Sequence, residues 1–267
     1  MTFLKMRVFL YKLFTQPRGL RQAWLLGSDV VRIGPKVLLK HHGTVRPTEA
    51  FTMDFVRRQT HLPVPAVHDV FLDRRGHVYI MMDYIDAPEL QAVWRRLSLA
   101  QRSAVVQELV TYLVELRALS PPDPNAVQAV DGGSLIDVRL GSEPFGPFAA
   151  VDDFHMYLGH TIIHDRLASN HPYAREALER CRHRTYRIIF SHSDLAPRNI
   201  LYKDGHIAAI IDWEFSGWYP EYWEFTRTFD SSSWIIPEFW ELFKAHFEGQ
   251  YDDELVMEHV LSAEMTR

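Results

Sequence analysis

Apolar and polar residues repeat along this chain with two different periods, and the change of period divides it. "DVVRIG" and "KVLLKHH" are β-rich runs separated by Gly34-Pro35, which predicts a hairpin. "RPTEAFTMDFVRRQT" instead spaces Phe51, Phe55 and Val56 as on one face of a helix. Pro63 and Pro65 must end that helix, because proline supplies no N–H and its ring collides with the preceding turn. "VHDVFLD" and "HVYIMMDYI" then predict two strands joined by the turn "RRG". Beyond residue 90 the helical period dominates. Ser98 and Gln101 form a capping-box pattern before a helix with Val106, Leu109, Val110, Leu113 and Val114 on one face. "VDDFHMYLGHTIIHDRLA" predicts another helix, whose leading acids suit its positive N-terminal end. "YRIIF" predicts a strand. "NILYK" and "HIAAIID" predict a hairpin closed by Asp204-Gly205, with aromatic-rich helices from there to the end.

The expected fold is therefore α+β and bilobal. A small β-rich lobe spans residues 1–84 and a larger, mainly helical lobe spans 85–267, with the crossover near 83–89. The 267 residues, 47% hydrophobic, are enough to bury a sizeable core. A net charge of −5 argues against a nucleic-acid partner, which calls for a basic excess. The single cysteine, Cys181, allows no disulfide framework and favours a reducing, cytoplasmic setting. "MTFLKMRVFLYKLF" looks superficially like a signal peptide, but Lys12 interrupts its apolar run and no cleavage site follows, so it reads as an amphipathic helix packed on the domain. No apolar segment is long enough to span a bilayer.

The common nucleotide-loop, hydrolase and zinc-protease motifs do not occur. His160 and His164 stand four apart on an expected helix and could share a metal, though chance spacing among 14 histidines explains them better. The chemistry concentrates in "FSHSDLAPRNILYKDGHIAAIIDWE". There His192, Asp194 and Asn199 precede Asp212, which follows Asp194 by 18 residues. Phosphoryl transfer needs few groups in fixed positions. One carboxylate orients and deprotonates the attacking hydroxyl, and Asp194 suits that role, with His192 beside it. An amide and a second carboxylate hold the metal ions on the ATP phosphates, and Asn199 and Asp212 suit those. The Asp204-Gly205 turn brings both metal-side groups to one end of the hairpin. Singly, each of these residues could be tying down a polar loop.

These segments, with "VVRIGPKVLLK", "TEAFTMDFVRRQTHLPVPAV", "YIMMDYI", "GPFAAVDDFH" and "IIDWEFSGWYPEYWEF", resemble the aminoglycoside phosphotransferase family, small-molecule relatives of the protein kinases, and in particular its short fungal members of unassigned substrate. The resemblance covers residues 30–225. It implies ATP and Mg²⁺ between the lobes, Lys40 on the phosphates, Glu49 paired with Lys40, and backbone groups of Asp83 and Ile85 reading adenine. On the bare sequence Lys40 could be a solvated strand end, Glu49 a helix-start acid, and Met81 and Met82 core. Two departures stand out. Ser193 replaces a usual glycine, and no glycine-rich loop precedes Lys40, where only Gly27, Gly34 and Pro35 are at hand.

"DLAPRN" also echoes tyrosine kinases, but "YPE" ends at Glu221, nine residues after Asp212, which leaves no platform for a peptide. The expected partner is a small-molecule hydroxyl acceptor, with no nucleic acid, membrane or protein substrate. "WEFSGWYPEYWEF" places Glu214, Glu221 and Glu224 among Trp213, Trp218, Tyr219, Tyr222 and Trp223. With Asp152 and Asp153 these could form an acidic, aromatic wall for a cationic or ring-containing acceptor, or the aromatics could be lobe core. The rival class is a kinase-fold protein without phosphotransferase activity, a binding protein or a repurposed tailoring enzyme.

Overall fold

The structure, a computed structural model, describes residues 30–41, 45–137, 139–141, 143–159 and 174–265. The N-terminal segment expected to be an amphipathic helix, Gly27, His160 and His164 lie outside them.

The small lobe is an antiparallel sheet. Its strands are β1 (Val30–Arg32), β2 (Val37–Lys40), β3 (Val67–Leu72) and β4 (Val78–Asp83), in the order β1-β2-β4-β3. Alternation along β4 serves two cores. Val78, Ile80 and Met82 join the main core, while Tyr79 stacks on Phe71 at 5.2 Å in a small cluster with Leu39 on the other face. Met82 is therefore core, and Met81 packs half-buried against the small cluster. Helix α1 (Pro47–Gln59) starts with proline in its first turn, where an N–H would have no partner, and buries Glu49, Ala50, Met53 and Val56. The four-residue turn between β1 and β2 lies at the end of the hairpin remote from Lys40, which pairs with Val30 and Ile80. Arg32 holds it by donating to the carbonyls of Gly34 and Pro35 while stacking on Tyr84 at 3.9 Å. Gly34-Pro35 thus sits beside the crossover and not over the Lys40 end.

The crossover, residues 84–89, leads into the short helix α2 (Leu90–Val93). Lys203 donates to the Asp86 carbonyl at 2.9 Å and the Tyr202 N–H to that of Pro88 at 2.9 Å, which fastens it to the large lobe. Helix α3 (Leu99–Arg117) has the expected capping box on Ser98 and Gln101. It buries Val105, Val106, Leu109, Leu113 and Leu116, whereas Val114, expected inside, is 63% exposed. The apolar stripe runs along the 105/109/113/116 line and leaves Val114 outside it. Helices α4 (Val151–Tyr157), α5 (Arg175–Arg182), α6 (Trp223–Ser232), α7 (Pro237–Lys244) and α8 (Asp252–Met265) complete the described helices of this lobe.

Strands β5 (Ile188–Ser191), β6 (Ile200–Lys203) and β7 (His206–Ile210) fall where the pattern put them. The β6–β7 hairpin closes through Asp204 and Gly205, both at positive φ (54° and 91°), as a two-residue turn requires. One expectation fails. Gly217–Pro220 is not helical but forms β8, antiparallel to β5. Gly217 has no room for a side chain, because a Cβ would lie 2.5 Å from Leu135 Cδ2 and 2.8 Å from the Gln128 carbonyl. The loop carrying those residues reaches the small lobe as well. Arg46 donates to the carbonyl and hydroxyl oxygens of Ser134 at 2.9 and 3.1 Å, and Thr48 to Asp131 at 3.1 Å. The start of α1, where Glu49 lies, is thereby fixed to the large lobe.

Candidate active site

Lys40 ends β2 on the face opposite Leu39, so its side chain points beneath α1 and into the space between the lobes. Its Nζ lies 2.9 Å from Glu49 Oε1, 2.6 Å from Asp212 Oδ1 and 3.8 Å from Glu214 Oε2. Burial alone would lower the ammonium pKa, but the three carboxylates outweigh it and raise it, so Lys40 stays charged. Asp212 is itself half-buried. Burial would raise its pKa, and the adjoining Lys40 instead holds it below the usual carboxylate range. Glu49 is fully buried, and desolvation, only partly offset by Lys40, pushes its carboxyl up to about 7. Residues far apart in sequence thus meet at one ammonium.

The loop after β5 carries the rest. Ser193 and Asp212 both have positive φ (68° and 67°), a region that L-residues enter only when held there. Ser193 therefore occupies a position where glycine would be unstrained. Glu224 does the holding: its Oε2 accepts from the N–H groups of His192 and Ser193 at 2.5 and 3.2 Å. Burial pushes the Glu224 carboxyl up to about 7, against the pull of those two donors. His192 is buried too. The Asp194 N–H donates to Nδ1 at 3.2 Å, so the ring hydrogen is on Nε2, which donates to the Ile211 carbonyl at 3.0 Å. Burial lowers its pKa, and both nitrogens are committed to backbone. His192, expected in the catalytic set, supports the loop and does not touch the cleft.

Asn199 donates both amide hydrogens to Asp194, to the carbonyl at 2.8 Å and to Oδ2 at 2.7 Å. Among the described residues, nothing donates to the amide oxygen. Its backbone carbonyl accepts from Ile211 N–H at 2.9 Å, which sets Asn199 beside Asp212 at the open end of the hairpin. Arg198, which the sequence reading did not single out although it lies inside the motif, donates from one nitrogen to both carboxylate oxygens of Asp194 at 2.6 Å. Its other terminal nitrogen donates to the Ser231 carbonyl at 3.3 Å.

The acidic, aromatic wall is mostly not one. Trp213, Trp218, Tyr219, Tyr222 and Trp223 are 0–1% exposed and form the core of the large lobe. Trp218 packs on Phe190 at 5.0 Å and Tyr219 stacks on Trp223 at 5.3 Å. Because residues 217–220 form a strand against β5, their side chains enter the lobe on both faces. Glu214 is directed to Lys40, and Glu221 is held by Arg187 at 2.8 Å, which keeps its carboxyl below the usual range despite burial. Glu224 lies under the loop. Asp152 and Asp153 alone of this set are exposed, in the first turn of α4. In the crossover, the Asp83 N–H is spent on the Ala66 carbonyl, and the Asp83 carboxylate accepts from the Ala66 N–H at 3.0 Å and lies 2.8 Å from His68 Nε2. The Ile85 carbonyl accepts from Ala87 N–H at 3.0 Å.

Residues 21–259 match the family model of the APH phosphotransferase enzyme family. The chain belongs to that family. No curated protein matches it. Among solved structures it is similar to a thermostable variant of aminoglycoside phosphotransferase APH(4)-Ia in its apo form, at TM-score 0.59 and 17% identity, over 88% of this chain and 81% of that one. It is also similar to the gentamicin complex of APH(2")-IIa, at TM-score 0.53 and 12% identity, over 92% and 85% of the two chains, and to the GDP complex of an aminoglycoside 2'-phosphotransferase-IIIa variant, at TM-score 0.57 and 10% identity, over 87% and 76%. At these identities the likeness is one of fold: a small antiparallel sheet lobe over a helical lobe, as in the protein kinases. No helix among the described residues is long and apolar enough to cross a membrane.

Proposed function

We propose that the protein is an ATP-dependent phosphotransferase that moves a γ-phosphoryl group to a hydroxyl of a small molecule. The observation that carries this reading is Lys40 joining Glu49 and Asp212 across the lobes at 2.9 and 2.6 Å, next to Asp194 and Asn199. That juxtaposition supplies a phosphate-binding cation, a metal-binding pair and a base in one cleft. The solved relatives include a variant of APH(4)-Ia bound to ADP and hygromycin B.

In this reading Lys40, kept charged and aimed by Glu49, binds the phosphates. The Asp83 carbonyl and the Ile85 N–H would read the adenine edge. The oxygens of Asn199 and Asp212 suit Mg²⁺, a hard cation that takes one or two protein oxygens and completes its shell with phosphate and water. Bound there, Mg²⁺ would neutralise charge on the phosphates. Asp194, oriented by Asn199, accepts the proton of the acceptor hydroxyl. Glu224 and His192 hold the loop so that the base does not move as charge develops. Residues after Asp212 pass directly into buried β8, which leaves no extended segment at which a peptide could dock.

Millimolar ATP with Mg²⁺ should raise the melting temperature, since a ligand bound only by the native state stabilises it. Asp212→Ala should remove the Mg²⁺-dependent part of the rise. An unchanged wild-type melting temperature would count decisively against this reading and in favour of a kinase fold used for something else.

A further inference from the structure

We propose that Arg198 selects the acceptor, favouring a hydroxyl compound with a carboxylate or other anion near the hydroxyl and rejecting amino alcohols. This rests on the phosphotransferase reading above and names its substrate class.

The argument starts from the donors of Arg198. A guanidinium has five N–H groups. Two go to Asp194 and one to Ser231, which leaves a terminal hydrogen and Nε–H. The side chain is 38% exposed, and these two hydrogens flank the nitrogen that holds Asp194, one on either side of it. A hydroxyl compound bound at Asp194 would have the guanidinium that touches both carboxylate oxygens as its neighbour. Among the described residues, the neighbouring acids are paired elsewhere. Asp230, next to Ser231, pairs with Arg139 and with Arg227 at 2.8 Å. Asp137 pairs with the same two arginines at 2.6 and 3.1 Å. Glu214, Glu221 and Glu224 are committed to Lys40, Arg187 and the loop backbone. The acids that the sequence offered to an ammonium group are spent elsewhere, with only Asp152 and Asp153 exposed on α4.

The reaction sharpens the preference. The acceptor oxygen bonds to the γ-phosphorus, the bond from that phosphorus to the β-phosphate oxygen breaks, ADP leaves, and the hydroxyl proton passes to Asp194. Protonation removes the negative charge that had balanced Arg198. An acceptor anion would then compensate the guanidinium most strongly when the base is neutral, which is binding that grows along the reaction path. An acceptor ammonium would add a like charge at the same place.

The test uses three probes that differ only in their terminal group: 3-hydroxypropionate, 1,3-propanediol and 3-amino-1-propanol. With saturating Mg·ATP, the acid should be phosphorylated with kcat/KM at least tenfold above the amine, with the diol between. R198Q keeps a donor to Asp194 but no charge, and should bring the three within about threefold, while R198K keeps the order. A wild-type preference for the amine, or an order unchanged in R198Q, overturns the proposal. Calorimetry of 3-hydroxypropionate with the nucleotide-free protein gives a second reading independent of turnover. Binding should be detectable in the wild type and lost in R198Q; no binding, or equal binding in both, also overturns the proposal. A missing Mg·ATP melting shift together with Arg198-dependent binding of the acid would sink the phosphotransferase reading and leave the anion site standing.

Discussion

Asp212 and Asp194 each sit against a cation, and the two pairs are built in opposite ways. Asp212 meets Lys40 from 172 residues away, across the lobes, with the lysine side chain 10% exposed. Asp194 meets Arg198 from four residues away, on the same loop, with the arginine 38% exposed. The first pair needs the whole fold, with its lysine buried and its aspartate 34% exposed. The second forms within a local turn, with its aspartate buried and its arginine the open member. In the proposed reading, the nucleotide side is fixed by tertiary structure and the acceptor side is a short-range arrangement, the half of the site that varies between substrates.

The strongest way to break this comparison is at the base itself. Asp194→Asn should lower turnover by roughly 10²–10⁴-fold, the usual worth of a positioned base. The Mg·ATP melting shift should survive, because the nucleotide side is held separately. A variant that kept its turnover, or lost nucleotide binding as well, would show the two halves to be one unit.

A smaller effect distinguishes the pairs by stability. Lys40→Ala leaves Glu49 and Asp212 without their cation and should cost about 3 kcal/mol in denaturant unfolding, in the range seen when one member of a buried pair is removed. R198Q leaves Asp194 the Asn199 amide as a donor and should cost less, about 1 kcal/mol. Equal losses would remove the distinction between the cross-lobe pair and the local one.

The smallest effect concerns pH. Glu224 has its pKa raised by burial from 4.5 to about 7, so the folded state binds its proton more tightly than the unfolded chain does. That contribution to stability is fully present below about pH 4.5 and is lost as pH rises through about 7. Stability should therefore fall across this window by on the order of 2–3 kcal/mol from Glu224. In Glu224→Gln the slope should be shallower, with the part due to Glu49 remaining. An unaltered slope would mean that the ionised carboxylate is fully compensated by the His192 and Ser193 N–H groups.

The sequence alone carried much of what depends on neighbours along the chain, though not the local Asp194–Arg198 pair. The Ser98–Gln101 capping box, the Asp204-Gly205 turn and the alternation in β4 are local, so pattern and turn chemistry suffice to find them. The hairpin also placed Asn199 and Asp212 together, because strand pairing from a two-residue turn fixes what stands at its open end. Tertiary structure decided the rest. "WEFSGWYPEYWEF" has the composition of a binding wall, and only its pairing with β5 turns the aromatics into core. Glu224 reads as a surface acid until α6 carries it beneath the loop, where it holds Ser193 at positive φ. His192 and Asp194 stand two apart in sequence, yet one has both ring nitrogens on backbone and the other is held by Arg198 and Asn199 side chains. The physical reason is common to these cases: burial and partner choice are properties of what packs over a residue, and that comes from segments distant in the chain.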